Sequence, residues 1–422
     1  TDRCTKAHEY IFLLSKSARY YYDAEAICEP AMQPVGIPRQ VAQHKQAILG
    51  ANKTGTLGTH EGNRTRNRRS VWTVATAPFS EAHFACVDAK TEALTPTGWK
   101  CQDALTDGDV IAAFDSQSGM LEWQPATFHR YAFDGELVKI EKRDTSQRLT
   151  PDHRCIIKRR VGGVDVVLAK NLKPSMEVLL TAPLSVSESP GPGAAFAALL
   201  GWYVTEGEKK RGNIIRISQS LSANPKKVEE IRRLLLAIGA EWKEGRRERK
   251  WRGRPSVVIT FNVRGAVAQK LHAMSDDKHI DWSWVNWPID EVQAFVEAVI
   301  DGDGHRRKDG RRCVIQKDRA FIDAMQVMTL RLGLRSHISP RPDGWTLFIT
   351  DGKWLTLRGT NGTHKPIERE PYSGMVWCPS VASTFWLARR NGKPFITGNT
   401  FPPKLIEPCI LAGCPEGGPV LD

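Results

Sequence analysis

No run in the sequence approaches the ~18 uncharged apolar residues of a membrane span, and its first residues lack the charged-then-apolar order of a signal peptide. Both absences point to a soluble, cytoplasmic protein. Cysteine is sparse: nine residues, an odd number, scattered with no CxxC pair and no Cys/His ligand spacing. That argues against a disulfide framework and a zinc site, and it leaves reduced thiols available as nucleophiles. Negative charge is the scarcer sign, since 60 Lys and Arg outnumber 47 Asp and Glu and leave a net charge of +13. The surplus is clustered, in Arg246, Arg247, Arg249, Lys250, Arg252 and Arg254 and again in Arg306, Arg307, Lys308, Arg311 and Arg312. One such cluster alone reads as a solvated face. Two in matching places of an internal repeat favour a polyanion, and double-stranded DNA is the expected partner of a monomer.

With 422 residues, 41% of them apolar, the chain is long enough for more than one core. Residues 1–85 mix the strand-like Glu9-Tyr10-Ile11-Phe12-Leu13-Leu14 with a polar stretch around 50–69 and do not read as a complete domain. From Cys86 to about residue 184, short runs such as Val110-Ile111-Ala112-Ala113-Phe114 and Glu136-Leu137-Val138-Lys139-Ile140 alternate with Gly turns, an all-β pattern. A Ser/Pro/Gly linker, 185–193, leads into helical periodicity that occurs twice. An apolar run over 196–204 ends in Thr205-Glu206-Gly207, and a basic strand follows. Asn224-Pro225 then caps a helix carrying Val228, Ile231, Leu235 and Ile238, stopped by Gly239. In the second copy Asp290 is placed to cap a helix with Val292, Phe295, Val296 and Val299 that ends in Asp301-Gly302-Asp303-Gly304. A helix with Phe321, Ile322, Met325, Met328 and Leu332 then stops at Gly333. Glu206 precedes Gly239 by 33 positions and Asp303 precedes Gly333 by 30, so a duplicated unit is the economical reading. Strands return after about Ser339, through Trp345-Thr346-Leu347-Phe348-Ile349, as if a β domain were split by an α/β insert.

The ends of this region carry the chemistry. Joined across 86–399, Ser80-Glu81-Ala82-His83-Phe84-Ala85 runs into Thr400-Phe401-Pro402-Pro403-Lys404-Leu405-Ile406, as one turn and helix opening of an interrupted host. Cys86 opens the insert, Thr150-Pro151-Asp152-His153 follows, and Val376-Trp377-Cys378-Pro379-Ser380-Val381 and Lys393-Pro394-Phe395-Ile396-Thr397-Gly398-Asn399 close it before Thr400. In that order and spacing these motifs resemble an intein of the Hint fold. The resemblance implies self-splicing without a cofactor. The Cys86 thiolate attacks the Ala85 carbonyl, His153 protonates the leaving amide nitrogen, and Thr150 hydrogen-bonds the scissile amide. Thr400 then takes the acyl group and Asn399 cyclises, releasing 86–399 and leaving Ala85 joined to Thr400. Gly398 stands where the family usually has a His, another frequent His of the closing segment is replaced near Thr384, and Cys378 occupies a position through which some inteins route the branch.

Residues 194–333 resemble the LAGLIDADG homing endonucleases, on the signature runs Leu199-Leu200-Gly201-Trp202-Tyr203-Val204-Thr205-Glu206-Gly207 and Val296-Glu297-Ala298-Val299-Ile300-Asp301-Gly302-Asp303-Gly304. Small residues Gly201 and Ala298 allow close helix approach. The resemblance implies that Glu206 and Asp303 lie side by side as Mg²⁺ ligands that cleave DNA, with Lys278 near the metals.

The flanks, Thr5-Lys6-Ala7-His8-Glu9-Tyr10-Ile11-Phe12-Leu13, Arg68-Arg69-Ser70-Val71-Trp72 and His83-Phe84-Ala85-Thr400-Phe401-Pro402-Pro403-Lys404-Leu405, resemble S-adenosylmethionine-dependent DNA amino-methyltransferases; that cofactor is expected only of the complete host. The expected fold class is mixed. An all-β Hint domain (86–185 and 340–399) is split by an α+β LAGLIDADG endonuclease (192–339) and flanked by partial α/β methyltransferase segments (1–85 and 400–422). The competing reading is a DNA methyltransferase with a large DNA-recognition insert and no self-cleavage. A third is a remnant that no longer splices yet still nicks DNA.

Overall fold

The structure, a computed structural model, describes residues 21–30, 65–66, 85–159, 162–251, 254–276, 278–359, 365–398 and 410–416. The chain divides into two compact units, Thr1–Ser80 with Phe401–Asp422, and Glu81–Thr400. In the first unit, Glu29–Pro30 pairs antiparallel with Thr65–Arg66, and the Asp23 N–H donates to the Ala412 carbonyl at 2.8 Å. Apart from Ala85, the host motifs singled out above lie outside the described residues, so the structure does not test them.

In the second unit, strands from both ends of the sequence interleave. Strand Thr127–Lys142 pairs along the whole of Ile367–Ser380, and the two close a barrel with Val87–Asp88 and Thr145–Leu149. Strand Lys393–Gly398 lies between Arg154–Lys158 and Phe385–Arg390 in a ten-stranded sheet. Local chemistry sets the turns. Between Val110–Asp115 and Met120–Pro125, the Asp115 carboxylate accepts from the N–H groups of Gln117 and Ser118, and Gly119 takes φ +69°. Val110–Asp115 is apolar along most of its length because both of its faces are covered, one residue in each of two hydrophobic cores alternating with the next.

The insert holds two units of one topology. In the first, helix α1 (Ala194–Glu206) leads into strands Gly207–Lys210 and Ile214–Ser220, helix α2 (Pro225–Ala237), and the hairpin Glu241–Trp251 and Arg254–Arg264. Helix α3 (Gly265–Met274) then follows. In the second, α4 (Ile289–Asp303) leads into Gly304–Arg306 and Arg312–Gln316, then α5 (Arg319–Arg331), then Arg335–Arg341 and Gly344–Thr350. Each unit builds a four-stranded sheet with the same strand order, first, second, fourth, third. Gly239 (φ +62°) and Gly333 (φ +67°) end the second helix of each, where a left-handed residue costs glycine little. Helix α1 is buried on every side from Phe196 to Val204, which fits its lack of an amphipathic pattern.

Three details differ from the sequence reading. The run Trp345-Thr346-Leu347-Phe348-Ile349 belongs to the second repeat, where Gly344–Thr350 pairs with Arg312–Gln316 and Arg335–Arg341; the return to the β domain comes at Trp354–Thr356, which pairs with Glu177–Leu179. Helix α4 is capped by Pro288, and Asp290 falls in its first turn, where a carboxylate still complements the helix dipole. Asn224 occupies the α2 cap position without a side-chain cap bond; its amide nitrogen donates to Gln219 Oε1.

The insert is anchored to the β domain by buried charge as well as by a continuous apolar core. Arg389, 2% exposed, forks onto Glu92 at 2.7 and 2.8 Å and also engages Asp323 and Gln326 of α5. Arg390 pairs with buried Asp88 at 2.9 Å, which fixes the strand that begins next to Cys86.

Candidate functional site

Two sites emerge, and the first forms where the ends of the β domain meet. Cys86 is fully buried. Its backbone N–H, part of the Ala85–Cys86 amide, donates to Thr150 Oγ1 at 2.9 Å, and the Thr150 N–H donates to the Cys86 carbonyl at 3.0 Å. The turn after strand Thr145–Leu149 presents both bonds, because Val87 pairs with Leu149 and carries the chain start alongside it. His153 closes the same turn, its N–H bonded to the Thr150 carbonyl at 3.1 Å. Its imidazole is wholly enclosed: Nε2 meets the Thr397 hydroxyl, and Nδ1 has no partner of full hydrogen-bond geometry among the described residues. Thr397 lies two positions before Asn399, so the segment carrying one junction touches the imidazole beside the other. Asn399 and Thr400 themselves lie outside the described residues.

Burial resets the protonation states expected from the sequence. Desolvation lowers the His153 pKa to about 3, against the opposing pull of the Cys86 and Ala85 backbone, so the ring is neutral at rest rather than a ready acid. Desolvation also raises the Cys86 thiol well above its ordinary range, and the neighbouring Cys378 thiol raises it further, so Cys86 rests as a thiol rather than a thiolate. Cys378 follows Trp377, which pairs with Val87, and it shares a small buried cluster with Cys86, Leu137 and Val376. Tyr131 packs against that cluster, its hydroxyl pushed up to about 12 by burial and by the two thiols.

Gly398, which stands where the resemblance expects a His, is tightly packed. A Cβ there would stand 2.6 Å from the Phe385 ring and 3.1 Å from the Arg154 side chain. A larger residue there would have to displace the Phe385 ring. Thr384, near the other missing His, adopts φ +61° in a turn leading into Phe385–Arg390.

The second site lies where α1 and α4 end. A Cβ on Gly201 would be 2.8 Å from the Ala298 Cβ and 2.9 Å from the Phe295 carbonyl, and one on Gly302 would be 2.1 Å from the Thr205 hydroxyl. The helices therefore pack backbone against backbone at Gly201, and at Gly302 the α4 backbone lies against the Thr205 side chain of α1; their last turns deliver Glu206 and Asp303, each partly buried, to one place. Desolvation raises the pKa of both carboxyls, and the Asp303 charge raises Glu206 further. Lys278, held at φ +58° between α3 and α4, lowers both and partly offsets the repulsion; Lys227 of α2 does the same for Glu206 and donates to the Asp301 carbonyl.

Sequence reasoning missed the two glutamines of this site. Gln219 hydrogen-bonds Glu206, and Gln316 Nε2 donates to Asp303. Each lies 13 positions after its acid, in the second strand of its repeat, and that shared offset is the signal that could have revealed them. Among the described residues no third His, Cys, Asp or Glu completes a cluster around the pair. Two desolvated carboxyls facing each other, with charges that stay in conflict, are nonetheless a donor set suited to a divalent cation.

The basic clusters occupy different strands rather than matching ones. Arg246, Arg247, Arg249 and Lys250 lie exposed on the third strand of the first sheet, Glu241–Trp251. Arg306 and Arg312 flank the turn between the first two strands of the second sheet; the equivalent turn of the first carries Lys209, Lys210 and Arg211. Much of the second cluster is neutralised internally: Arg306 pairs with Glu297 and Asp301, Arg311 with Asp309, and Arg312 with Glu297 and Asp351.

Residues 290–355, which take in the second repeat, match the family model of a LAGLIDADG-like domain. Among curated proteins, the chain is 38% identical over 84 residues to the type II methyltransferase M.SmaI of Serratia marcescens, a match covering 20% of this chain and 20% of that protein. It is 33% identical over 100 residues to M.XycI of Xanthomonas campestris pv. cyanopsidis, covering 22% and 24%. The chain thus spans about a fifth to a quarter of the length of these curated relatives. Solved structures similar to it include I-DmoI in complex with DNA and Mn (17% identity, 37% of this chain and 89% of that chain, TM-score 0.29). Another is an AceL NrdHF class 3 split intein variant (23% identity, 23% of this chain and 63% of that chain, TM-score 0.21). Among the described residues no helix is long and apolar enough to cross a membrane.

Proposed function

We propose that residues 86–399 form a self-splicing intein whose inserted domain is a DNA endonuclease, lodged in part of an S-adenosylmethionine-dependent DNA methyltransferase. One observation carries the splicing reading: Thr150 and the His153 ring meet the Ala85–Cys86 junction, and Thr397, from a third stretch of sequence, meets that ring. The protonation states support a shuttle in place of a preformed acid. Neutral His153 takes the Cys86 Sγ proton as sulfur bonds to the Ala85 carbonyl carbon. The resulting imidazolium returns that proton to the Cys86 nitrogen as the C–N bond breaks, leaving a thioester. The Thr150 hydroxyl on the amide N–H fixes where the nitrogen points. Thr400 then accepts the acyl group, Asn399 cyclises through its side-chain nitrogen with loss of the 399–400 bond, and an oxygen-to-nitrogen shift restores an amide. The domain boundaries of this reading are 86–185 and 351–399 for splicing and 192–350 for the nuclease, strand Gly344–Thr350 passing from the first to the second.

In the inserted domain Glu206 and Asp303 would hold Mg²⁺, which supplies activated water and charge stabilisation at the scissile phosphate. Lys278, Gln219 and Gln316 orient and moderate the two acids, and the exposed arginines of Glu241–Trp251 meet the DNA backbone. The methyltransferase reading of the flanks rests on the partial matches to M.SmaI and M.XycI.

Expression of the whole chain, followed on a denaturing gel, tests the splicing proposal. A released species of 314 residues and a joined one of 108 are expected, and both disappear in Cys86→Ala. Persistent full-length protein, indistinguishable from Cys86→Ala, supports the rival reading of a methyltransferase with an uncleaved insert.

A further inference from the structure

We propose that the two halves of the inserted domain hold duplex DNA unequally: the outer strand of the first sheet, Glu241–Trp251, carries the grip, while its counterpart in the second, Arg335–Arg341, is occupied by the β domain. The inference rests on the endonuclease proposal and adds to it which half of the domain supplies the affinity.

The repeat matches the two outer strands residue by residue. Each begins two positions after the glycine that stops its helix, Gly239 or Gly333, so Lys243 and Arg247 correspond to His337 and Arg341. In the first sheet Trp242 packs on the core and Glu244 accepts from Arg232 of α2 at 2.7 Å, so the alternate residues Lys243 and Arg247 lie on the face without helices. Both are exposed, and neither side chain meets a hydrogen-bonding or ionic partner among the described residues. Arg216, Ser218, Thr260 and Asn262 share that face by register, so it offers cations and hydrogen-bonding groups together, which suits a DNA groove and its phosphates. The hairpin also runs on past its neighbour. Four pairs, from Glu248 with Val257 to Trp251 with Arg254, have no third strand beside them, against one, Arg341 with Gly344, in the second sheet. At ~3.3 Å per residue this arm, which carries exposed Lys250, reaches ~13 Å beyond the sheet.

In the second sheet the same face is taken. Ser336 shares a hydrogen bond with Thr329 of α5 at 2.8 Å, so Arg335 and His337 lie on the helix-free side. There they meet Asp144, in the turn between strands Thr127–Lys142 and Thr145–Leu149 of the β domain, at 3.5 and 3.6 Å. His337 is left 3% exposed, where its counterpart Lys243 is open to solvent. The free edge of the strand is closed as well, since the Ile338 N–H donates to the Gly392 carbonyl at 2.9 Å. Only Pro340 and Arg341 remain exposed on it, and Arg341 already has Asp343 at 3.8 Å. The turns between the first two strands are basic in both units, so the imbalance lies in the outer strands. A duplex laid along the helix-free faces touches the whole outer strand of the first sheet but only the tip of the second.

Salt-dependent binding tests this. The full chain, kept in one piece by Cys86→Ala and without Mg²⁺, is titrated by fluorescence anisotropy against a random-sequence duplex of about 40 base pairs at roughly 50 to 200 mM salt. Each phosphate neutralised contributes about 0.9 to the slope of log affinity against log salt. Lys243→Ser, Arg247→Ser and Lys250→Ser combined should reduce that slope by roughly 2–3, and Arg247→Ser alone by about 1, with the melting temperature unchanged because all three side chains are exposed. Arg247→Lys, which keeps the charge, should hold the parent slope. The matched Arg341→Ser should change it by less than about 0.5. An Arg341→Ser loss equal to that of Arg247→Ser, or a combined variant with the parent slope, would overturn the inference and leave the endonuclease proposal standing. A parent chain that shows no salt-dependent binding to the duplex would sink both.

Discussion

Gly201 is where the nuclease proposal meets a measurable energy. Replacing it with Ala sets a methyl group 2.8 Å from the Ala298 Cβ and 2.9 Å from the Phe295 carbonyl, where relaxed carbon contacts lie at ~3.5–4.0 Å. The carbonyl is backbone and cannot rotate away, so α1 and α4 must draw apart. Overpacking of this kind costs ~1–3 kcal/mol. For domains of ~150–250 residues each kcal/mol moves the melting temperature by ~2–4 °C, so a drop of ~2–12 °C is expected by calorimetry or circular dichroism. Ala298→Gly added to Gly201→Ala removes the methyl–methyl conflict and leaves the one with Phe295, so partial recovery should follow. Separation of the helix ends also relaxes the Glu206–Asp303 repulsion and should weaken magnesium-dependent DNA cleavage. A Gly201→Ala protein that melts with the parent and cleaves as well would refute close helix contact as the device that assembles the site.

Three further outcomes follow from the same geometry. Glu206→Gln and Asp303→Asn should each abolish magnesium-dependent DNA cleavage and the rise in melting temperature caused by Mg²⁺, while the excised and joined species form as before; retained cleavage in either variant contradicts the metal assignment. The His153 pKa, about 3 in the folded chain against an ordinary value near 6.5, makes folding stability full above ~6.5 and lost as pH falls toward 3, by ~5 kcal/mol in all. His337, lowered to about 4 by burial, acts in the same direction. His153→Gln should therefore flatten the acid limb of urea-midpoint curves, and an unchanged limb would show that the ring is solvated. Arg389→Met leaves Glu92 and Asp323 facing each other without their shared cation and should cost ~3–5 kcal/mol in denaturant unfolding; a loss below ~1 kcal/mol would mean the pairing is a solvated surface contact.

What the sequence made legible was local. The duplication was readable because each second helix stops at a glycine with positive φ, and because each acid follows an apolar run that α1 and α4 bury. Trp345-Thr346-Leu347-Phe348-Ile349 was recognisable as a strand, but its partners lie 30 or so positions upstream or across a tight turn, and no periodicity identifies a partner. The same limit hid Thr397, whose contact with His153 spans 244 positions. The resting protonation states of Cys86 and His153 were not legible for a different reason: a reference pKa describes a solvated group, and enclosure cannot be read from the motif Thr150-Pro151-Asp152-His153. The sequence showed that Gly398 stands where a His is expected, but not that the Phe385 ring and Arg154 pack against it.

The central claim, that the front and rear of 86–399 react with one another, is tested most directly by tandem mass spectrometry of protein purified after expression of the intact chain. A peptide reading continuously from Ala85 into Thr400 is expected, together with a released fragment that begins at Cys86 and ends in a cyclised Asn399. An uninterrupted Ala85-Cys86 peptide in all of the protein, with no Ala85-Thr400 sequence, would contradict it.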